Sequence, residues 1–513
     1  MTRGATDNAD AYESDVSFQP ERRYLGGNSM PDLLTASALA ATVLIISALA
    51  SGLVERAPIS FPIIFLGLGV LLGEHGLGWI TLDAHSGTLE TIATLNLALV
   101  LFIDALKLRF DEVGNDWIVP VLALGPGAAL TMILVAGTSA LLLHTSIVAS
   151  LLLGAILAST DPVVLQDVLR DTRIPRSVRR ALSVEAGTND LIVLPAVLVL
   201  IAIAQAGLGS VPEWLAFLGE LFILGPLAGV AVGWIGAWLM ARADARYGIR
   251  REYQALYGIG LVLAAYAAGT AIGGSGFLAA FAAGIAISLS NFELCDCFME
   301  YGEVTAEMAM LVAFVLFGAL LSSMTGLIPL GTTLLFAVLV IAIARPLVMA
   351  LVLRRATASR GARVIIGWFG PRGLSSLLLA LLVVQDGVPG SERLLAITGA
   401  VVIVSVIVHG ASIAPLGSWY GRRVAKQTLP EEREGSAAGL FGDHGGQVPR
   451  ISPDELAARL KDPNPPVILD VRSRSQFTAD GAQIPGSIRV RPDEVIEWAT
   501  GKSRDRLVVA YCT

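Results

Sequence analysis

Two stretches decide the reading: SIVASLLLGAILASTDPVVLQDV, residues 146–168, and LSVEAGTNDLIVLPAVLVLIAIAQA, residues 182–206. Each is long and apolar enough to cross a bilayer, for which about 20 residues suffice. Yet each carries acid in its middle. Asp161 stands in T-D-P (Thr160, Asp161, Pro162), and Glu185 and Asp190 stand in E-A-G-T-N-D (Glu185 to Asp190). A carboxylate at bilayer depth costs about 3 kcal/mol or more, and such residues mark ion and proton paths. Two aspartates on adjacent spans, beside an Asn and a Glu, point to a site for a cation or a proton.

Pro162 lacks an N–H and disfavours helix in the residue before it. The span is therefore expected to break near Thr160, freeing carbonyls that can coordinate a cation. On the next span Glu185 and Asn189 are four apart and share a face. Asp190 is turned from Asn189 by about 100°. This assigns ion binding to Asp190 and the balancing of a buried arginine to Glu185. A third motif, G-W-F-G-P-R-G (Gly367 to Gly373), puts Pro371 and three glycines inside another span. Arg372 then lies at membrane depth and stays charged. Its expected partners are Glu185, Asp161 and Asn189. Two interrupted spans, one in each half of a bundle, form the pattern of a transporter with inverted repeats and a midplane site.

The rest of the chain fits that frame. It has 513 residues, of which 54% are hydrophobic and 15% charged, with a mean hydropathy of +0.69. Soluble proteins carry about 25% charged residues. An all-α polytopic membrane protein of about thirteen transmembrane helices is expected. The spans fall roughly at 33–54, 59–73, 88–106, 117–143, 146–168, 182–206, 214–240, 252–272, 276–290, 304–325, 329–353, 363–386 and 392–416. Alternate loops hold most of the basic residues, among them Arg56, Lys107, Arg109, the Arg170–Arg180 group, Arg242 to Arg251 and Arg354 to Arg363. By the positive-inside rule those loops and the C-terminus are cytoplasmic and the N-terminus is outside, in the cytoplasmic (inner) membrane.

Four regions follow: an N-terminal tail at 1–31, the membrane domain at 32–418, a Glu-, Arg-, Gly- and Ser-rich linker at 419–449, and a small α/β unit at 450–513. The net charge of −7 sits in loops and tails, and nothing suggests nucleic acid. The first thirty residues show no cleavable signal peptide. Three cysteines make no disulfide framework. Cys295 and Cys297 form a lone C-x-C, a weak metal signal. Arg345-Pro346 reads as a structural ion pair rather than a gate. The glycines of G-T-A-I-G-G-S-G (Gly269 to Gly276) read as a short turn with close helix packing, not a phosphate loop. None of the five histidines sits beside the two aspartates in sequence, and His75, His85 and His144 read as bystanders in or near loops.

T-D-P, then E-x-x-x-N-D on the next span, then G-P-R-G late in the bundle together resemble the monovalent cation/proton antiporters of the NhaP and Na⁺/H⁺-exchanger branch. The resemblance covers roughly residues 33–417. It implies a homodimer whose protomers each hold a dimerisation bundle and a core bundle with two crossed, unwound helices. It implies that Asp190 is the principal carrier of cation and proton, assisted by Asp161 and the backbone around Thr160. Asp161 and Asp190 are then the cation ligands, Glu185 pairs with Arg372, and Asn189 orients the site. Members often carry a hydroxyl after that Glu, where this chain has Ala186. No cofactor is implied beyond the transported ions.

The tail resembles a rhodanese domain through D-V-R (Asp470 to Arg472), Phe477, I-P-G-S-I (Ile484 to Ile488) and V-V-A-Y-C (Val508 to Cys512). Cys512 is the candidate rhodanese cysteine. The sequence given stops one residue later, without the loop that would activate the thiolate. The functional expectation is electroneutral exchange of Na⁺, with K⁺ or Li⁺ as alternatives, for H⁺, serving pH and cation homeostasis. The rivals are a membrane-tethered sulfurtransferase or sulfur/redox sensor, and a cation channel.

Overall fold

A computed structural model describes residues 61–108, 118–206, 210–290, 294–426 and 451–511, apart from a few positions within those ranges, together with isolated positions in 41–49. Most of the span expected at 33–54, the N-terminal tail, most of the linker and Cys512 lie outside the described residues, as do the side chains of Cys295 and Cys297.

The described chain is mostly helical. In order run α1 (Phe61–Leu72), α2 (Gly87–Leu106), α3 (Ile118–Leu143), α4 (Ile147–Ile156), α5 (Pro162–Arg170), α6 (Arg176–Thr188), α7 (Asp190–Ala206) and α8 (Val211–Tyr247). Then come α9 (Arg251–Ala271), α10 (Gly276–Leu289), α11 (Leu294–Ser323), α12 (Leu330–Val352), α13 (Arg360–Trp368), α14 (Leu374–Gln385) and α15 (Ser391–Lys426). Among the described residues, eight segments are long and apolar enough to cross a membrane, with α6 and α7 counted as one. Shorter apolar helices α1, α4, α10 and α14 stand among them. This is a multi-pass membrane protein.

Close packing depends on glycine at particular contacts. A Cβ at Gly69 would strike the Val315 carbonyl, and one at Gly318 would strike that of Leu66, so α1 and α11 meet backbone to backbone. Gly229 and Gly233 of α8 likewise lie against Ala279 and Ala283 of α10. Small residues are how helices approach where lipid supplies no hydrophobic drive. In the Gly269–Gly276 run, Gly269 packs on Ala279 and Gly274 on Gly225, and α9 and α10 are joined by a four-residue turn. Leu215, Phe222, Leu227, Trp234 and Leu239 stand exposed along α8, an apolar face suited to lipid, since its helical backbone needs no outside partner.

A separate apolar cluster joins α5, α6, α13 and the end of α15 through Leu165, Val168, Val178, Ile365, Phe369, Tyr420 and Val424. It explains why α15 continues to Lys426, into the stretch that the sequence reading gives to the linker from residue 419. Tyr420 is fully buried against Gly361, and Arg173 donates to Ser418 at 2.6 Å.

In the tail, β1 (Val467–Asp470) pairs in parallel with β2 (Ile488–Arg489) on one side and β3 (Val508–Tyr511) on the other. Arg472 clasps Asp470 at 2.6 Å and lies over the rings of Phe477 and Tyr511. Burial alone would raise the Asp470 carboxyl. The hydrogen bonds from Arg472, backbone and side chain, and from Tyr511 outweigh it and hold the group below its ordinary range.

Candidate functional site

The site forms where two helices stop short. Helix α4 ends at Ile156 and α5 begins at Pro162, leaving 157–161 non-helical, and α13 ends at Trp368 and α14 begins at Leu374, leaving 369–373 non-helical. Pro162 accounts for the first gap, and Gly370, Pro371 and Gly373 for the second. The two gaps meet. The Asp161 N–H donates to the Pro371 carbonyl at 2.9 Å, and the Ser376 hydroxyl donates to the Ile156 carbonyl at 3.0 Å.

Asp161 caps two helices at once. Its Oδ1 accepts from the N–H groups of Val163 (2.8 Å) and Val164 (3.4 Å) at the start of α5. Its Oδ2 accepts from the N–H of Leu374 (2.5 Å), the first residue of α14. Both termini carry partial positive charge, so one buried anion satisfies both. Gly373 makes this possible, since a Cβ there would overlap the Asp161 carboxylate.

Asn189 and Asp190, at the joint of α6 and α7, face the first gap. Asn189 donates to the Ala158 carbonyl at 2.8 Å and to the Thr160 hydroxyl at 3.0 Å, fixing the unwound backbone. Asp190 accepts from the Ser159 hydroxyl at 2.7 Å. The Ser375 hydroxyl also acts on it, and Asp161 is near enough to repel it electrostatically. All four of Thr160, Asp161, Asn189 and Asp190 are buried. The T-D-P and N-D residues are thus brought together with the backbone of G-P-R-G.

Glu185 is placed differently from the expectation. Its carboxylate pairs with Arg345 at 2.6 Å, both side chains only 4% exposed, and not with Arg372. Arg345 reaches it from α12, its guanidinium also donating to the carbonyls of Ile366 (3.3 Å) and Phe369 (3.4 Å). Its path crosses Gly370, where a Cβ would overlap the Arg345 side chain. Arg372 instead donates to the Gly370 carbonyl at 3.0 Å. Arg345 is therefore the structural ion pair that its sequence context suggests. Sequence reasoning missed Ser159 and Ser375, which are ordinary residues in ordinary apolar runs. It also missed His409, an ionisable group inside an apolar span, which was itself a signal.

The family described as "Sodium/hydrogen exchanger, transmembrane" matches residues 41–419. The chain belongs to the sodium/hydrogen exchanger family. A rhodanese-like domain matches residues 452–513 of this exchanger-family chain, so that likeness is confined to the tail. Among curated relatives, the K(+)/H(+) antiporter NhaP of Alkalimonas amylolytica is 26% identical over 390 residues, covering 76% of this chain and 67% of that protein. The K(+)/H(+) antiporter NhaP2 of Shewanella sp. (strain MR-4) is 30% identical over 397 residues, covering 75% of this chain and 66% of its own length. The chain thus spans about two thirds of the curated relatives it matches. The sodium proton antiporter MjNhaP1 of Methanocaldococcus jannaschii shares its fold, with a TM-score of 0.64 at 21% identity over 74% of this chain and 100% of that one. Exchanger-family relatives of this kind are transporters and not enzymes.

Proposed function

We propose that this protein exchanges a monovalent cation for a proton at Asp190. The observation that carries the reading is the buried pair of aspartates with unequal engagements. Asp161 is committed to two helix N-termini and one backbone partner in the opposite gap. Asp190 meets hydroxyls, whose dipoles can turn as its charge changes. A carboxylate so placed binds a proton or a cation in competition. The empty, charged site is costly to move through the membrane, so only an occupied site crosses. Asn189 sets the carbonyl of Ala158 and the hydroxyl of Thr160 beside it as cation ligands.

Glu185 is held by Arg345 and Asn189 does not titrate. One exchangeable proton against one monovalent cation makes the exchange electroneutral, in the service of pH and cation homeostasis. The two gaps act as the crossed, unwound helices of an inverted-repeat fold with thirteen spans. The protein works as a homodimer in the cell membrane, with its N-terminus outside and its C-terminal unit cytoplasmic, as the distribution of basic loops supports.

For the ion, K⁺ ranks ahead of Na⁺ and Li⁺. The names of the NhaP and NhaP2 relatives support this, as does Ala186, which brings no side-chain oxygen. Fewer protein oxygens replace less of a hydration shell, and K⁺ holds its shell least tightly of the three. The decisive experiment is proton flux in proteoliposomes driven by K⁺, Na⁺ and Li⁺ gradients in turn, with Asp190→Asn as control. Wild-type flux that disappears in that folded variant is expected. Equal flux in both would remove Asp190 from the reaction.

A further inference from the structure

His409 is 2% exposed, on α15, and takes no part in the exchange scheme above. Its ring stands against the Trp368 end of the second gap, and Ser405, which it also meets, holds the Arg372 end. Nε2 lies 3.0 Å from the Trp368 carbonyl, the last residue of α13. Nδ1 lies 3.1 Å from the Ser405 hydroxyl and 2.9 Å from the Ser405 carbonyl. The same hydroxyl accepts the Arg372 N–H at 2.7 Å. Trp368 is held a second time, its indole N–H donating to Ser412 at 2.8 Å.

The partners select the form of the ring. The Trp368 carbonyl can only accept, so a bond to it needs the proton on Nε2. Ser405 has one hydroxyl proton, and with its oxygen taken by the Arg372 N–H that proton is free for Nδ1. Either neutral tautomer sets one lone pair against a carbonyl, Nδ1 against that of Ser405 or Nε2 against that of Trp368, but only Nδ1 has a hydroxyl beside it that can donate, which favours the proton on Nε2. The imidazolium would add a third cation where the charged groups facing the ring are Arg372 and Arg345. The nearby carboxylate, Glu185, is paired through Oε1 with Arg345.

We propose that neutral His409, protonated on Nε2, and Ser405 are positioning residues that pin Trp368 and Arg372, on either side of residues 369–371 in the second gap, and so set the Pro371 carbonyl and the Leu374 N–H against Asp161. A continuous path supports this: Arg372 N–H to Ser405 hydroxyl to His409 to Trp368 carbonyl. It spans the residues on either side of Pro371, which has no N–H to hold its own segment. Histidine suits the role because one rigid ring reaches from its own helix to the end of another.

The proposal rests on the exchange reading for its kinetic consequence, but the clamp can be read without transport. In the full-length protein, Ser405→Ala should raise backbone hydrogen exchange across 369–374 by about ten-fold or more, since it strands the Arg372 amide. Unchanged protection there would overturn the clamp, whatever the protein transports. In proteoliposomes, His409→Leu should raise the half-saturating cation concentration by about ten- to a hundred-fold, with a smaller loss in maximal rate, as a displaced support does. His409→Gln restores a neutral donor where Nε2 sits. It should recover most of the affinity and keep the wild-type pH profile. A pH profile displaced in the glutamine variant would show that the ring titrates during transport and would overturn the neutral form. Absence of flux in the wild type with every cation tried would sink the exchange reading alone, and the hydrogen-exchange result would still decide the clamp.

Discussion

At the scale of single residues, the buried charges sort by what fixes them. Glu185 and Arg345 face each other with little water, and removing one leaves the other stranded. Arg345→Ala or Glu185→Ala should each cost about 3–5 kcal/mol, read as thermal unfolding in detergent. The double variant should recover part of that loss. Arg372→Ala combined with Glu185→Ala should be much closer to additive, because Arg372 bonds the Gly370 carbonyl instead. Strong coupling in the second pair and none in the first would reverse the assignment. Gly373→Ala is the second test, since one methyl must displace the Asp161 carboxylate. Exchange should fall at least a hundred-fold, as a shift of about 1 Å in a reacting geometry can do, while insertion persists. Wild-type flux in that variant would show that the double cap is dispensable. The acids themselves could be read from the sequence, because a carboxylate in an apolar run is costly and marks an ion site or a buried ion pair. The arginine that answers Glu185 could not. Two arginines were available, both on later spans, and a long flexible side chain chooses by three-dimensional reach and not by spacing.

At the scale of elements, the breaks were legible and their contact was not. Proline and glycine announce that a helix ends, as at Pro162 and Pro371. They do not say that the Asp161 N–H will find the Pro371 carbonyl. The length of α15 is a related case. Composition turns polar from about Gly421, yet the helix runs to Lys426, with Tyr420 and Val424 packed into an apolar cluster that only the fold assembles. In the tail, Asp470 offers a check of an element by pH. Its carboxyl is held low, so its contribution to stability is fully present above the unfolded value of about 4 and is lost as pH falls through the folded one. Protection of the Val471 and Val490 amides, which bond across β1 to Tyr511 and Asp470, should therefore be flat through neutral pH and fall only in acid. Asp470→Asn should lower it at pH 7. Loss of protection in the wild type near pH 6 would contradict the Arg472 clasp.

At the scale of the whole molecule, the number of exchangeable charges governs how the protein responds to voltage. If, as proposed, Asp190 alone exchanges its proton, an imposed membrane potential should change neither the rate of ΔpH dissipation nor the final ion distribution. Clamping vesicles at zero and at a large negative potential is the measurement, and transient currents that scale with turnover would refute one-for-one exchange. The hydrogen bonds that sew the two gaps together carry a further consequence. A carrier whose two broken spans moved separately would at moments open to both waters, and protons would run through it as through a leaking valve, their gradient lost as heat. Sewn together, the spans must shift as one part or first break their stitches. Ser376→Ala removes one stitch, the bond to the Ile156 carbonyl. It should betray itself as slip, an acid leak that persists when no cation is present to be carried, and a vesicle that stays tight would show that the remaining stitches suffice.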